Sequence, residues 1–153
     1  MSEKPILLVE DNPDDEILTI RAFRRNGIRT EIVVARDGVE ALDYLLGIGS
    51  RAEEGPLAPQ LVLLDLNLPR IDGLEVLRRL RTDARGKLLP IVLLTSSREE
   101  QDLLSGYQLG CNSYVRKPID FDAFVEAARR LGEYWLSLNE SPEGRHGRQE
   151  ARA

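Results

Sequence analysis

A single cysteine, Cys111, is the only source of thiol chemistry in the 153 residues. One cysteine excludes an internal disulfide and a cysteine-based zinc site, and it is consistent with a reducing compartment. No apolar run approaches the roughly 20 residues that span a bilayer, and the start of the chain lacks the apolar core of a signal peptide. We therefore expect a cytoplasmic protein without a membrane partner.

The chain also lacks an excess of positive charge. Its 21 Lys and Arg residues stand against 26 Asp and Glu residues, which gives a formal net charge of −5 at pH 7. Domains that bind nucleic acids usually carry a basic excess, so we expect no nucleic-acid partner. A chain of this length is typical of one domain that buries roughly 70% of its unfolded surface, so a core of ordinary size is possible.

Five short apolar runs alternate with five helical patterns. The runs are nearly continuous in Val, Ile and Leu, which is typical of strands buried on both faces. We predict strands at 6–9, 31–35, 61–64, 91–94 and 113–115 and helices at 13–26, 38–46, 73–82, 99–109 and 120–138, with Asp37, Asp72 and Asp120 as caps. Parallel strands need crossover connections, and right-handed crossovers place helices on both faces of the sheet. The pattern predicts a doubly wound α/β fold of five βα units.

Two segments depart from this alternation. The stretch 47–59 contains Gly, Pro and Glu, and the stretch from residue 139 onwards is polar with several Gly residues. We expect both to be solvated. The expected organisation is one domain over 1–138 that ends in a long helix, followed by a disordered tail over 139–153. In the tail, we expect His146 to have no specific role. No output module is expected beside this domain.

Carboxylates follow two of the predicted strands. Glu10 and Asp11 end the first apolar run, and Asp65 ends the third. The carboxyl ends of parallel strands share one edge, so these acids are expected to meet there. Two unit charges about 4 Å apart cost roughly 4 kcal/mol at an effective dielectric constant of 20, so the cluster needs shared protons or a cation. Mg²⁺ fits because it binds carboxylates, a carbonyl and water while leaving room for a phosphate oxygen, and Asn67 can supply the carbonyl.

Two further polar residues end the later strands. Thr95 brings a hydroxyl after the fourth run, and Lys117 brings an ammonium group after the fifth. Metal, hydroxyl and ammonium groups all hold phosphoryl oxygens. Asp65 is then the natural nucleophile, because an ionised carboxylate can accept a phosphoryl group without an activating base. A lone Asp at a strand end is more often a cap, and it is the combination on four strand ends that indicates a metal-assisted phosphoryl site.

These motifs resemble the receiver domain of two-component response regulators. The resemblance is carried by Glu10-Asp11-Asn12-Pro13, by Asp65 in Leu-Leu-Asp-Leu-Asn-Leu-Pro, by Thr95-Ser96 and by Lys117-Pro118. It implies the flavodoxin-like receiver fold with Asp65 as the phosphoacceptor. It further implies Mg²⁺ or Mn²⁺ held by Asp11, Asp65, the carbonyl of Asn67 and, mainly through water, Glu10. Thr95 and Lys117 would bind the phosphoryl group, and Tyr114 would be a switch aromatic that turns inward as Thr95 moves.

A narrower resemblance points to single-domain regulators paired with bacterial phytochrome histidine kinases. It rests on the segments 10–15 and 94–97 and on the last helix, and it implies a kinase partner of that type. The last helix is longer than the strands that it covers, so its final turns are expected to overhang the sheet. Tyr134, Trp135 and Leu136 would then offer a homodimer surface. Asn67 and Ser97 are expected to flank the attacking water and to tune hydrolysis of the acyl phosphate.

Three other functions compete with this interpretation. A phosphatase of the haloacid dehalogenase type needs a second acid where Asn67 stands. A flavin- or dinucleotide-binding module needs a Gly-rich loop after the first strand, and this chain has acids there. A receiver-like scaffold that is never phosphorylated would keep the fold without needing the acidic set. We expect instead a stand-alone response regulator that takes a phosphoryl group from a kinase phosphohistidine and catalyses only its own phosphorylation and dephosphorylation.

Overall fold

The computed structural model describes residues 3–142 and contains one five-stranded parallel sheet in the order β2-β1-β3-β4-β5. The strands are β1 Ile6–Val9, β2 Ile32–Ala35, β3 Leu61–Leu64, β4 Ile91–Thr95 and β5 Ser113–Arg116. The helices are α1 Pro13–Arg25, α2 Gly38–Leu46, α3 Gly73–Arg81, α4 Glu100–Gln108 and α5 Phe121–Leu131. The predicted fold class is confirmed, and only the last helix departs from its predicted bounds by more than one residue. Residues 143–153 of the predicted tail, with His146, lie outside the described residues.

Side chains of the central strands alternate between two separate cores. In β1, Leu7 and Val9 pack with α2 and α3, whereas Ile6 and Leu8 pack with α1 and α5. The central strands β1, β3 and β4 are buried along their whole length, while the edge strands β2 and β5 are mostly half-buried. Burial on both faces explains why the central strands read as unbroken apolar runs. In the part of the chain that the structure describes, no helix is long and apolar enough to cross a membrane.

The three predicted caps are present. The carboxylates of Asp37, Asp72 and Asp120 each accept a hydrogen bond from a backbone N–H in the first turn of the helix that follows. Asn12 caps α1 in the same way, because its side chain accepts from the N–H groups of the second and third helical residues. Helix α1 therefore begins directly after the acidic pair, and its positive end points toward the edge where the predicted site lies.

Most residues of the loop between α2 and β3 are exposed, as predicted for 47–59, but part of the loop packs against α2. It contains a short 3₁₀ helix, Gly49–Arg51, and it folds back on α2. The N–H of Leu57 donates to the carbonyl of Tyr44 at 2.7 Å, and the Leu57 side chain packs against the core. The guanidinium of Arg51 lies 5.0 Å from the centre of the Tyr44 ring. These contacts attach the middle and the end of the loop to α2, while the rest of its surface stays exposed.

The last helix changes its winding after Leu131. Residues Gly132–Leu138 form a π-helical segment instead of the α-helix predicted over 120–138. Its i→i+5 pairing is wider than that of an α-helix, and it ends with the N–H of Asn139 donating to the carbonyl of Tyr134 at 2.6 Å. The consecutive side chains Trp135 and Leu136 both pack against the core beside α1 and α5. The wider winding thus lets two neighbouring residues face the same core.

Two glycines allow the loop after β3 to approach its neighbours closely. A Cβ on Gly73 would overlap the backbone carbonyl oxygen of Asp65, and a Cβ on Gly38 would overlap that of Ile71. The obstacles are backbone atoms, which cannot rotate away as a flexible side chain can. The position of Asp65 at the end of β3 thus depends on the absence of a side chain at Gly73.

We predict that Gly73→Ala lowers the free energy of unfolding by about 2–3 kcal/mol, because the added methyl overpacks against backbone. Gly27→Ala is the matched control, since its Cβ would meet no atom but its φ is 76°. That strain alone is expected to cost about 1 kcal/mol. Urea denaturation of both variants measures the difference, and equal losses would contradict a steric origin.

Candidate functional site

Three side chains reach the same corner of the sheet because their strands share a register. Glu10, Asp65 and Lys117 each follow the last residue of a strand. The backbone N–H of each residue donates to a carbonyl of the neighbouring strand and so extends the hydrogen-bond ladder of the sheet. Glu10 donates to Ala35, Asp65 to Val9 and Lys117 to Thr95. Their neighbours two residues earlier, Leu8, Leu63 and Val115, all pack on the α1/α5 side. Since side chains alternate along a strand, all three polar residues project toward that same face.

The acidic residues meet as predicted. Carboxylate oxygens of Glu10, Asp11 and Asp65 all lie within 4.8 Å of one another. Glu10 and Asp65 are buried, whereas Asp11 is exposed at the mouth of the cluster. The ligand set is composed of oxygen atoms only, with one open side, which suits a hard divalent cation that keeps part of its water shell. These residues fit a divalent metal site.

Lys117 carries the positive charge of the cluster. Its ammonium nitrogen lies 2.6 Å from Glu10 Oε1, 2.8 Å from Asp65 Oδ2 and 2.9 Å from Asp15 Oδ2. An ammonium group has three donors, so three carboxylates satisfy it fully. The Lys117 side chain is almost entirely buried, as are those of Glu10 and Asp65. Burial of this kind is tolerated only when charges are paired, so each member of the cluster depends on the others.

The electrostatics show that negative charge is in excess. Burial raises the pKa of Glu10 from 4.5 to about 7, and the nearby Asp65 charge adds to the rise, while the hydrogen bond from Lys117 opposes it. For Lys117, burial lowers the pKa, but the hydrogen bonds to Asp65 and Glu10 outweigh burial and raise the pKa overall. Lys117 therefore stays charged near neutral pH. One ammonium group does not neutralise the cluster, and a bound cation would complete the balance.

Asp15 is the member of this site that the sequence did not reveal to us. It lies in the first turn of α1, where an acid is ordinarily interpreted as a partner of the helix dipole. The structure places its carboxylate on Lys117. The sequence does contain an indication of this contact. Helix α1 begins two residues after Asp11, so its first turn lies close to the strand ends that carry the acidic cluster.

The predicted switch residues lie on the other face of the sheet. Thr95 is fully buried at the end of β4, and Tyr114 in β5 pairs in register with Leu93, two residues before Thr95. Leu93 and Tyr114 both pack on the α2/α3 side. The alternation along β4 places Thr95 on that side as well. In the register of β3 and β4, Leu64 pairs with Leu93, so Thr95 lies one residue further along the sheet than Asp65. Because its side chain is on the α2/α3 face, Thr95 approaches the site from the opposite side to Lys117.

The remaining predicted residues fall into two groups. The backbone N–H of Asn67 donates to Asp65 Oδ1 at 3.2 Å, which places Asn67 in the site. The Ser97 hydroxyl donates to Asp102 Oδ2 at 2.6 Å. Their roles in metal binding and hydrolysis stay predictions. Tyr134, Trp135 and Leu136 are not part of the site, because they lie at the opposite end of the sheet, where α5 has run antiparallel to the strands and the π-helical segment approaches Ile28.

Comparison with known proteins identifies the family. The family model described as "Response regulator receiver domain" matches residues 6–129. The chain belongs to this family. It is therefore a signalling protein of two-component systems, and membership implies a histidine kinase as its partner. The predictions of family, fold and receiver function are confirmed.

Individual relatives agree with this assignment. The chain is 43% identical over 139 residues to a probable methanogenesis regulatory protein, FilR2, of Methanothrix harundinacea, covering 90% of this chain and 86% of the relative. The phosphorylated form of RcpA, a cyanobacterial phytochrome response regulator, superimposes with a TM-score of 0.84 at 38% identity, over 92% of this chain and 99% of RcpA. The Mn²⁺-bound form of Rcp1, a response regulator of Synechocystis, gives a TM-score of 0.82 at 35% identity, again over 92% and 99%.

The pKa of Glu10 predicts a pH dependence of stability when no divalent ion is bound. Between about pH 4.5 and 7 the folded protein holds a proton on Glu10 that the unfolded chain has released, so stability falls as pH rises through this window. Glu10→Gln is expected to flatten this slope, and Glu53→Gln, in the exposed part of the 47–59 loop, is expected to keep it. Urea denaturation at a series of pH values in the presence of a chelator measures both. A slope unchanged in Glu10→Gln would contradict the assignment.

Proposed function

We propose that the protein accepts a phosphoryl group from the phosphohistidine of a histidine kinase onto the carboxylate of Asp65. In this step a carboxylate oxygen forms a bond to phosphorus as the phosphorus–nitrogen bond to the histidine breaks. The observation that carries the proposal is the contact between Asp65 and Lys117 inside the acidic cluster. This arrangement pairs an ionised acceptor with a fixed positive charge at the edge where doubly wound sheets bind their ligands.

The surrounding residues supply the electrostatic part of the reaction. Lys117 is held 2.8 Å from Asp65 and is proposed to transfer one of its hydrogen bonds to a phosphoryl oxygen, while Thr95 donates its hydroxyl from the other face. Mg²⁺, or Mn²⁺ in its place, would neutralise phosphoryl oxygens when held by Glu10, Asp11, Asp65 and the carbonyl of Asn67. Asn67 and Ser97 are proposed to tune hydrolysis. The chain thereby catalyses its own phosphorylation and dephosphorylation.

The phosphoryl group is proposed to act on a pre-existing equilibrium between two conformations. Thr95 would move toward the phosphoryl group, and Tyr114, which lies on the same face of the sheet, would turn inward into the space that Thr95 leaves. The result would be a changed surface around α4 and β5, which a partner protein can recognise. The proposed output is therefore a change in the protein–protein contacts that this surface makes.

Apolar side chains around the site favour a protein donor over a small molecule. Ile119 is 93% exposed two residues after Lys117, and Ile17 and Leu18 are exposed on α1 next to Asp15. Exposed apolar groups that surround a buried polar site are typical of contact surfaces. We propose that a kinase of the phytochrome type docks here, in the cytoplasm, and the similarity to RcpA supports that choice of kinase.

We also propose a homodimer through the end of the last helix. Tyr134 and Leu138 are 49% and 73% exposed, while Trp135 and Leu136 lie half-buried beside them. The rings of Tyr134 and Trp135 contact edge to face, with centroids 4.9 Å apart. Tyr134 lines a groove with Ser113 and Val115 of edge strand β5, and this exposed aromatic together with the exposed Leu138 favours association with a second copy.

Replacing Asp65 by Asn is predicted to abolish phosphorylation, since an amide cannot accept the phosphoryl group as an acyl phosphate. The measurement is transfer from radiolabelled, autophosphorylated histidine kinases, with phytochrome-type kinases in the panel. Asp14→Asn, an exposed carboxylate in the first turn of α1, is the matched control and is expected to be labelled like the wild type.

A fast transfer from a phytochrome-type kinase to the wild type and to Asp14→Asn, with none to Asp65→Asn, is the expected pattern. Labelling of Asp65→Asn at the normal rate would refute Asp65 as the acceptor. Transfer only from kinases of another type would refute the phytochrome partner and leave the acceptor assignment standing.

The proposed dimer predicts that Tyr134→Ser combined with Leu138→Ser gives a monomer. Tyr107→Ser is the control, because Tyr107 is similarly exposed, at 52%, but lies on α4. Sedimentation velocity at micromolar concentration, with and without phosphorylation, distinguishes the two. A wild type that sediments as a monomer in both states would exclude the dimer.

A further inference from the structure

A chain of three hydrogen-bonded residues links the first turn of α4 to Thr95. The Ser97 hydroxyl donates to Asp102 Oδ2 at 2.6 Å, which is the usual length for a charge-assisted bond between a hydroxyl and a carboxylate. The backbone N–H of Ser97 donates to Thr95 Oγ1 at 3.2 Å. The N–H of Glu99 donates back to the Ser97 oxygen at 3.3 Å. Ser97 is therefore fixed through both its side chain and its backbone.

These bonds connect the position of the Thr95 side chain to the loop between β4 and α4. A hydroxyl group has one proton, and that of Ser97 is committed to Asp102. The backbone of Ser97 in turn directs its N–H at the oxygen of Thr95, so the Thr95 side chain is held by the loop between β4 and α4. If Thr95 moves to donate to a phosphoryl oxygen, the N–H of Ser97 loses this acceptor.

We propose that Asp102 is a positioning residue that, through Ser97, stabilises the unphosphorylated arrangement of Thr95. The inference rests on the proposed function of Asp65 and Thr95, and it adds a regulatory contact on α4 that sets how readily the phosphoryl group shifts the equilibrium. Asp102 touches neither Asp65 nor Lys117 by any hydrogen bond or ion pair in the described part of the chain. It acts on the site only through Ser97.

Tyr114 gives independent support for this coupling. Burial raises the pKa of Tyr114; Ser97 opposes the rise and the charge of Asp102 adds to it. The Tyr114 hydroxyl is enclosed, and no hydrogen bond of ordinary geometry reaches it. The switch aromatic therefore lies beside the same two residues that hold Thr95. A change at Asp102 is therefore expected to affect both Thr95 and Tyr114.

A merely structural role for Asp102 makes a different prediction. Asp102 lies in the first turn of α4, and Glu99, at the N-cap of this helix, provides no side-chain cap bond. If Asp102 only stabilises the start of the helix, its loss lowers the free energy of unfolding without changing affinity for a phosphoryl group. The experiment must therefore measure a ligand equilibrium and not only folding.

The test uses beryllofluoride with Mg²⁺, an analogue of the phosphoryl group on a carboxylate, and follows its binding to the full chain by fluorine NMR. Removing a contact made only in the unphosphorylated state favours the other state, so Asp102→Ala is expected to bind the analogue about tenfold more tightly than the wild type. Ser97→Ala is expected to show the same gain. The double variant is expected to gain no more affinity for the analogue than either single variant, because each substitution removes the same hydrogen bond between Ser97 and Asp102.

Two variants act as controls. Asp102→Asn keeps an oxygen that can accept from Ser97 and is expected to stay close to the wild type. Gln101→Ala removes the neighbouring side chain on α4, whose amide donates to Ser105 Oγ at 3.0 Å, and is expected to change nothing. Urea denaturation of each variant measures stability separately, so that loss of fold is not mistaken for a shifted equilibrium.

The outcomes separate the two proposals. If the wild type binds beryllofluoride and Asp102→Ala binds it with equal or lower affinity, the role of Asp102 is overturned while the phosphoacceptor site stands. Additive gains in the double variant would likewise overturn the connection through Ser97. If the wild type does not bind beryllofluoride at all, the proposed function fails, and this inference fails with it.

Discussion

The buried ammonium group of Lys117 is the constraint on which the rest of the site depends. Two buried carboxylates beside each other repel strongly, and in this fold they cannot move apart because both continue strands of one sheet. The positive charge of Lys117 reduces that repulsion. In turn, the hydrogen bonds to the carboxylates raise the pKa of Lys117 and keep it charged. The balance is incomplete, because one ammonium group faces three carboxylates, and burial together with the Asp65 charge raises the pKa of Glu10. The site is stable enough to fold and negative enough to attract a divalent cation.

The sheet accounts for most of this geometry. Five parallel strands bring their carboxyl ends to one edge, and alternation then divides the polar residues between two faces. Glu10, Asp65 and Lys117 project toward α1 and α5, whereas Thr95 and Tyr114 project toward α2 and α3. Gly73 allows the chain after Asp65 to turn closely into α3. Backbone packing thus positions the main chain of Asp65, and Lys117 then holds its carboxylate.

The sequence was sufficient to predict the strands and the acidic cluster, because both depend on local periodicity and on the shared edge of a parallel sheet. It was not sufficient for contacts made by helix surfaces. The approach of Asp15 to Lys117 depends on the angle of α1 over the sheet, and the bond between Ser97 and Asp102 depends on the path of one loop. The π-helical end of the last helix, which begins at Gly132 beside Ile28, also has no signal in the periodicity of the sequence.

The division of the site between two faces suggests how a chemical event at one edge reaches a distant surface. A phosphoryl group on Asp65 would lie where the two faces meet, within reach of Lys117 from one side and Thr95 from the other. Lys117 would exchange only one of its three hydrogen bonds for a bond to a phosphoryl oxygen, so we expect little movement on its face of the sheet. The Thr95 hydroxyl accepts one hydrogen bond from the loop, from the N–H of Ser97, and such a bond can be exchanged at small cost. The conformational response is therefore expected on the face of Thr95, where the loop leads directly into α4 and where Tyr114 lies beside it.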